Sequence, residues 1–106
     1  MSGEYRIGEV RKRSNIVELN YLEGKSEVQI MGGEEETIRL EGITHPRHPL
    51  YKSIDAIRRD FIENRDVTLK IGDREYTDYK IVSFVWEETG GDPETRRFII
   101  DFMKVR

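Results

Sequence analysis

Residues 83–106 read SFVWEETGGDPETRRFIIDFMKVR, two apolar runs around one turn. The second run constrains the fold more than any other part of the chain. Side chains alternate along an extended strand. Phe98, Ile100 and Phe102 therefore share one face, and Ile99, Met103 and Val105 the other. A strand this apolar on both faces needs cover on both. The chain's own core supplies one cover. A helix, a second sheet or a neighbouring subunit must supply the other, because uncovered apolar surface drives association.

The rest of the sequence limits how much cover the chain can provide. It has 106 residues, 37% of them charged and 36% hydrophobic. That length fits one domain, residues 1–106, with a modest core. Acids and bases are interleaved, so the net charge is only -3. A generic polyanion binder would be clearly basic. There is no cysteine, hence no disulfide and no thiolate metal site. The opening MSGEYRIGEVRKR lacks the apolar segment of a secretory signal. No stretch approaches the roughly 20 apolar residues of a membrane span. These features place the chain in a cytosol-like compartment or in a particle assembled there, with no membrane partner.

Hydrophobic periodicity divides the chain into strands and one helix. Val17, Leu19 and Tyr21 alternate with polar residues, as do Val28 and Ile30, then Ile38 and Leu40. The last two runs flank GGEEE and read as a hairpin around Gly32 and Gly33. Tyr5–Val10 reads as a weaker strand. THPRHP excludes regular structure, and Pro49 then suits the first turn of a helix. Leu50, Ile54, Ile57 and Phe61 follow at helical spacing, predicting one amphipathic helix over about residues 50–64. Period two resumes at Val67, Leu69 and Ile71, with a turn at Gly72-Asp73. In the long run that follows, strict alternation puts Val82, Phe84 and Trp86 on one face and Ile81 and Val85 on the other. TGGDPET is read as a seven-residue loop before the last strand. The predicted class is α+β, with mostly antiparallel β-sheets in a sandwich or barrel and one helix.

Few residues suggest chemistry. His45 and His48 are the only histidines, and they lie in a proline-broken loop without a third ligand, so no metal site is expected. The same scarcity leaves no Ser–His–acid relay. Glu34, Glu35 and Glu36 lack the spaced oxygen ligands of a calcium loop and read as a solvated hairpin tip. Arg11, Lys12 and Arg13 could touch phosphate, although three charges are a thin footprint. Tyr76, Tyr79, Phe84 and Trp86 could stack on bases, but strand aromatics more often pack in a core or interface. Arg96 and Arg97 must point to opposite faces. Gly90-Gly91 lacks the Lys and helix of a phosphate loop. No cofactor and no enzyme activity are expected.

Residues 37–106 resemble a known family. The shared order is a strand ending in IRLEG, a proline-containing loop, an amphipathic helix, a short strand, then a long hairpin. The matching residues are Ile81-Val82-Ser83-Phe84, Gly90-Gly91-Asp92 and Phe98-Ile99-Ile100-Asp101-Phe102. This pattern resembles the small tail proteins of contractile-tailed phages, in particular the GpU-type tail proteins. It is also similar to the N-terminal domain of baseplate proteins that carry a LysM module, although no such module is expected here. The resemblance implies a tail-tube-like fold of two packed sheets flanked by a helix. It also implies a homo-oligomeric ring, usually sixfold, in a virion tail or baseplate, assembled in the host cytoplasm. Its partners would be tail-tube, baseplate-hub and tape-measure proteins, with DNA passing through unbound. The assembly surface is then expected at Gly32, Gly33, the 89–95 loop, and Phe98, Ile99, Ile100, Phe102, Met103 and Val105. Glu34–Glu36 would face the lumen. The alternative is a small nucleic-acid-binding β-domain that uses Arg11–Arg13 and the strand aromatics.

Overall fold

Eight strands form one sheet. The computed structural model describes residues 2–7, 9–20, 26–31, 36–45, 47–89 and 92–105. Its strands are β1 (Ser2–Ile7), β2 (Glu9–Arg13), β3 (Ile16–Asn20), β4 (Ser26–Met31), β5 (Thr37–Thr44), β6 (Asp66–Ile71), β7 (Arg74–Thr89) and β8 (Asp92–Lys104). The helix α1 (Pro49–Ile62) lies between β5 and β6. The spatial order is β1-β4-β5-β8-β7-β6-β3-β2. Neighbours are antiparallel except β3 and β6, which run parallel. That pair is joined by a long route through β4, β5 and α1, as a parallel pair requires. The α+β class holds and six of the seven neighbouring pairs are antiparallel, but the strands form a single mixed sheet and not the two packed sheets that the resemblance implies.

The sheet is strongly curled. Gly8 alone separates β1 from β2 in sequence, yet these strands occupy opposite edges of the sheet. Two residues of extended chain span at most about 7 Å. The edges must therefore approach each other at Ile7 and Glu9. Periodicity could not show this, because Tyr5–Val10 reads as one strand while its two halves pair at different ends of the order.

The inner face is the core. Val17 and Leu19, Leu69 and Ile71, Ile38 and Leu40, and Phe98, Ile100 and Phe102 are fully buried there, with Ile54 and Ile57 of α1. The helix starts where proline and the His48 cap allow. His48 Nδ1 accepts from the Leu50 N–H at 3.1 Å, and Pro49 has no N–H that needs a partner. Phe61 stacks on Phe84 at 6.2 Å, and Tyr51 meets Trp86 edge-on at 5.2 Å. These contacts seat α1 against β7, and its opposite flank reaches β2.

Two bulges in β7 rewrite the alternation read from sequence. Val67 faces Tyr79 and Leu69 faces Tyr76, so β7 carries one extra residue there, and Asp78 takes a φ of 62°. Tyr76 and Tyr79 consequently meet edge-on at 6.1 Å. Farther along, Ile81 faces Phe102 and Ser83 faces Asp101, leaving Val82 as the extra residue. Ile81 thus joins Phe84 and Trp86 on the inner face, and Val82 is 49% exposed. The expected grouping of Val82 with Phe84 and Trp86 is corrected by this one insertion. The expected 89–95 loop carries strand pairing at its ends: Glu88 faces Arg96 and, after a register shift, Thr89 faces Asp92.

Gly42 is required by close approach. A Cβ there would lie 2.6 Å from Ser26 Oγ and 2.9 Å from Phe98 Cζ. Neither neighbour can retreat easily, because Ser26 is on the paired strand and Phe98 is fully buried. Gly42→Ala is expected to destabilise by about 1–3 kcal/mol through overpacking. Urea unfolding measures it, and a simultaneous Phe98→Leu should recover part of the loss.

Candidate functional site

The outer face of β5, β8 and β7 carries apolar and charged residues side by side. Antiparallel register fixes its rows. Glu41, Ile99 and Val85 form one row, and Arg39, Asp101 and Ser83 the next. Ile43, Arg97 and Glu87 form a third. Ile43 is 47% and Val85 38% exposed, while Ile99 and Met103 are half-buried.

Ion pairs cross this surface. Arg39 grips Asp101 with two hydrogen bonds, Nε to Oδ1 at 2.7 Å and Nη2 to Oδ2 at 3.2 Å. The hydrogen bond and charge of Asp101 hold the Arg39 guanidinium above its ordinary pKa. Arg97 reaches Glu41 at 3.8 Å and Glu87 at 3.7 Å. Arginine stems lie well along apolar side chains while their heads stay wet. The second face of β8 is therefore less dry than its sequence suggests. Asp101 and Arg97 break it, and Val105 is 47% exposed.

The residues expected at an assembly surface separate into three groups. Phe98, Ile100 and Phe102 are fully buried in the chain's own core, so they have no surface left for another subunit. Ile99, Met103 and Val105 lie on the outer side or at its end. Gly32, Gly33, Glu34, Glu35, Gly90 and Gly91 lie outside the described residues. Glu36 is half-buried, and its Oε2 accepts the Tyr79 hydroxyl at 2.7 Å. Burial first and the Glu36 carboxylate second push the Tyr79 phenol far above its ordinary pKa.

The Tyr79 environment makes a pH prediction. A phenol whose folded pKa exceeds its unfolded value favours the fold fully below about pH 10. That contribution is lost as pH rises beyond it. The parent should therefore lose more stability between about pH 8 and pH 11 than Tyr79→Phe does, measured by urea unfolding at both pH values. At neutral pH the variant should cost about 1 kcal/mol for the lost hydrogen bond.

The basic cluster divides between two faces, with Arg11 and Arg13 exposed on one and Lys12 on the other. Lys12 lies opposite Val17 and points inward, with 11% of its side chain exposed. Its Nζ sits 2.7 Å from Asp60 Oδ2 on α1 and also contacts the Ser14 carbonyl. The Asp60 contact is a charge contact without hydrogen-bond alignment. Arg11 is exposed and pairs with Glu9 at 3.3 Å. The aromatic platform is likewise occupied, since Phe84 and Trp86 stack on each other at 5.9 Å and lie against Phe61 and Tyr51 of α1.

The histidines serve the turn before α1. His45 Nδ1 accepts from the Arg47 N–H at 3.2 Å, and its Nε2 meets Glu94 at 3.1 Å. A cavity of about 330 Å³ opens nearby, lined by Glu9, Arg11, His48 and Ser53 among others. A shallower one of about 220 Å³ lies over Glu27, Glu41, Ile43 and Arg97. Among the described residues no three His, Cys, Asp or Glu side chains gather to hold a metal ion. Among them, too, no helix is long and apolar enough to cross a membrane. Searches of protein-family models, curated proteins and solved structures find no match for this chain.

Proposed function

We propose that the chain is a structural subunit of a phage tail or related contractile injection machine. In this reading copies form a ring around the DNA channel at the tube initiator or baseplate. The observation that carries the assembly reading is the outer face of β5, β8 and β7. Ile43, Val82 and Val85 remain exposed there on central strands whose inner face is filled. Apolar surface rimmed by charge is the usual character of an interaction surface. The kind of assembly is taken from the resemblance of residues 37–106. Ile99, Met103 and Val105 retain the role expected of them, and Ile43, Val82 and Val85 join them. Sequence alternation alone did not single out these last three. The nucleic-acid alternative is the weaker reading, because Lys12 is turned into the fold, leaving Arg11 and Arg13 exposed, and Phe84 and Trp86 lie against α1. Negative-stain imaging of the purified protein tests the reading. Rings with an axial channel are expected, and a dispersed small particle at every concentration would sink it.

A further inference from the structure

We infer that β1 is an exchangeable strand: in the assembled state it pairs with β4 of a second copy instead of its own. This rests on the assembly reading above and adds to the outer-face contact a second one, at the sheet edge, that forms once the outer faces have joined. Three features of the topology lead to it.

First, among the described residues β1 is joined to the sheet by its six-residue antiparallel register with β4, from Ser2↔Met31 to Ile7↔Ser26. Second, β1 and β2 follow one another with Gly8 between them, yet pair at opposite edges of the eight-stranded sheet. Ile7 and Glu9, two positions apart in sequence, therefore belong to opposite edges. Third, no ladder joins β1 to β2 among the described residues. The seam where the edges meet is spanned by the covalent chain, so opening it sacrifices no strand hydrogen bonds.

Together these features make exchange nearly neutral in contacts. The ladder on β4 is the same whichever copy supplies β1, as in domain swapping generally. The difference lies in chain closure. Within one molecule the connection must bring two sheet edges together, and a short connection of this kind favours exchange. Between molecules, β1 can continue the line of β2 across to the neighbour. The β4 edge is thus the docking surface, and its occupant is residues 2–7 of another copy of this chain.

The absence of cysteine makes the test direct. Glu4 and Gln29 are register partners across the β1–β4 ladder. Glu4→Cys combined with Gln29→Cys places two thiols side by side there. The purified variant is treated with a mild oxidant, and in parallel with a short bismaleimide, and run on a denaturing, non-reducing gel. Met31→Cys with Thr37→Cys, register partners on β4 and β5, is the within-chain control. The expected result is linked dimers and larger species for the first pair, with the control remaining at monomer mass. Consumption of both thiols at monomer mass overturns the exchange. So does failure of both reagents to join them. Native mass measured on the same samples separates the two readings. A ring whose chains run as monomers on the gel assembles without exchange, whereas a monomer by both measures removes the assembly reading as well.

Discussion

Asp60→Ala is expected to lower stability by about 3–5 kcal/mol, whereas Lys12→Met combined with Asp60→Leu should leave it unchanged or raise it. The reason lies in where the charges sit. Asp60 is almost fully buried, and Lys12 reaches it from β2 at 2.7 Å with little exposure of its own. Removing the acid strands a buried ammonium. Removing both charges replaces them with apolar volume beside Val10, Val17 and Ile57, which are already buried. The contact lacks hydrogen-bond alignment, so the parent holds an imperfect pair and the double substitution forfeits little. Urea unfolding of the two single variants and the double gives the coupling directly. A double variant whose loss equals the sum of the Lys12→Met and Asp60→Leu losses would show that the two residues act separately. An inward-pointing charge on an edge strand also discourages unwanted pairing. The double variant should therefore aggregate more readily during refolding even where its native state is stable.

Phe98 and Ile99 should behave oppositely although they are adjacent. Phe98→Ala is expected to cost about 3–5 kcal/mol, the range for deleting a buried aromatic. Its ring is fully buried and stands over Gly42, whose missing Cβ makes the room. Collapse around the cavity is limited because β5 and β7 hold β8 on both sides. Ile99 lies on the outer face in the row of Glu41 and Val85 and is only half-buried. Ile99→Ala should cost about 1 kcal/mol or less in the monomer, since little apolar area leaves water there. Its effect should appear in assembly. Unfolding midpoints together with sedimentation separate the two effects. A comparable loss of monomer stability for both variants would contradict the facing assigned to β8.

Much of this architecture could be read from the sequence, and the remainder fails for identifiable reasons. The helix expected over about residues 50–64 from the spacing of Leu50, Ile54, Ile57 and Phe61 is found at Pro49–Ile62, ending two residues earlier. The strands follow from period two. The bulges at Thr77-Asp78 and at Val82 were hidden, because an extra residue leaves the composition of a run unchanged while reversing its facing. The separation of β1 from β2 was hidden because both halves read as extended. Lys12 looked like part of a basic patch because only the acid on α1, distant in sequence, reveals its direction. The candidate surface was legible only in part. Ile99, Met103 and Val105 could be named from alternation, but Ile43 and Val85 become their neighbours only through the register of three strands. The apparent dryness of the last strand resolves into one buried face and one mosaic of apolar and paired charged residues.

The central claim is that the outer face of β5, β8 and β7 joins copies of this chain. Sedimentation equilibrium of the parent beside Ile43→Glu combined with Val85→Glu tests it most directly, with circular dichroism confirming that both are folded. The account predicts an assembled parent and a folded, monomeric double variant. A parent that stays monomeric, or a double variant that assembles like the parent, would contradict it.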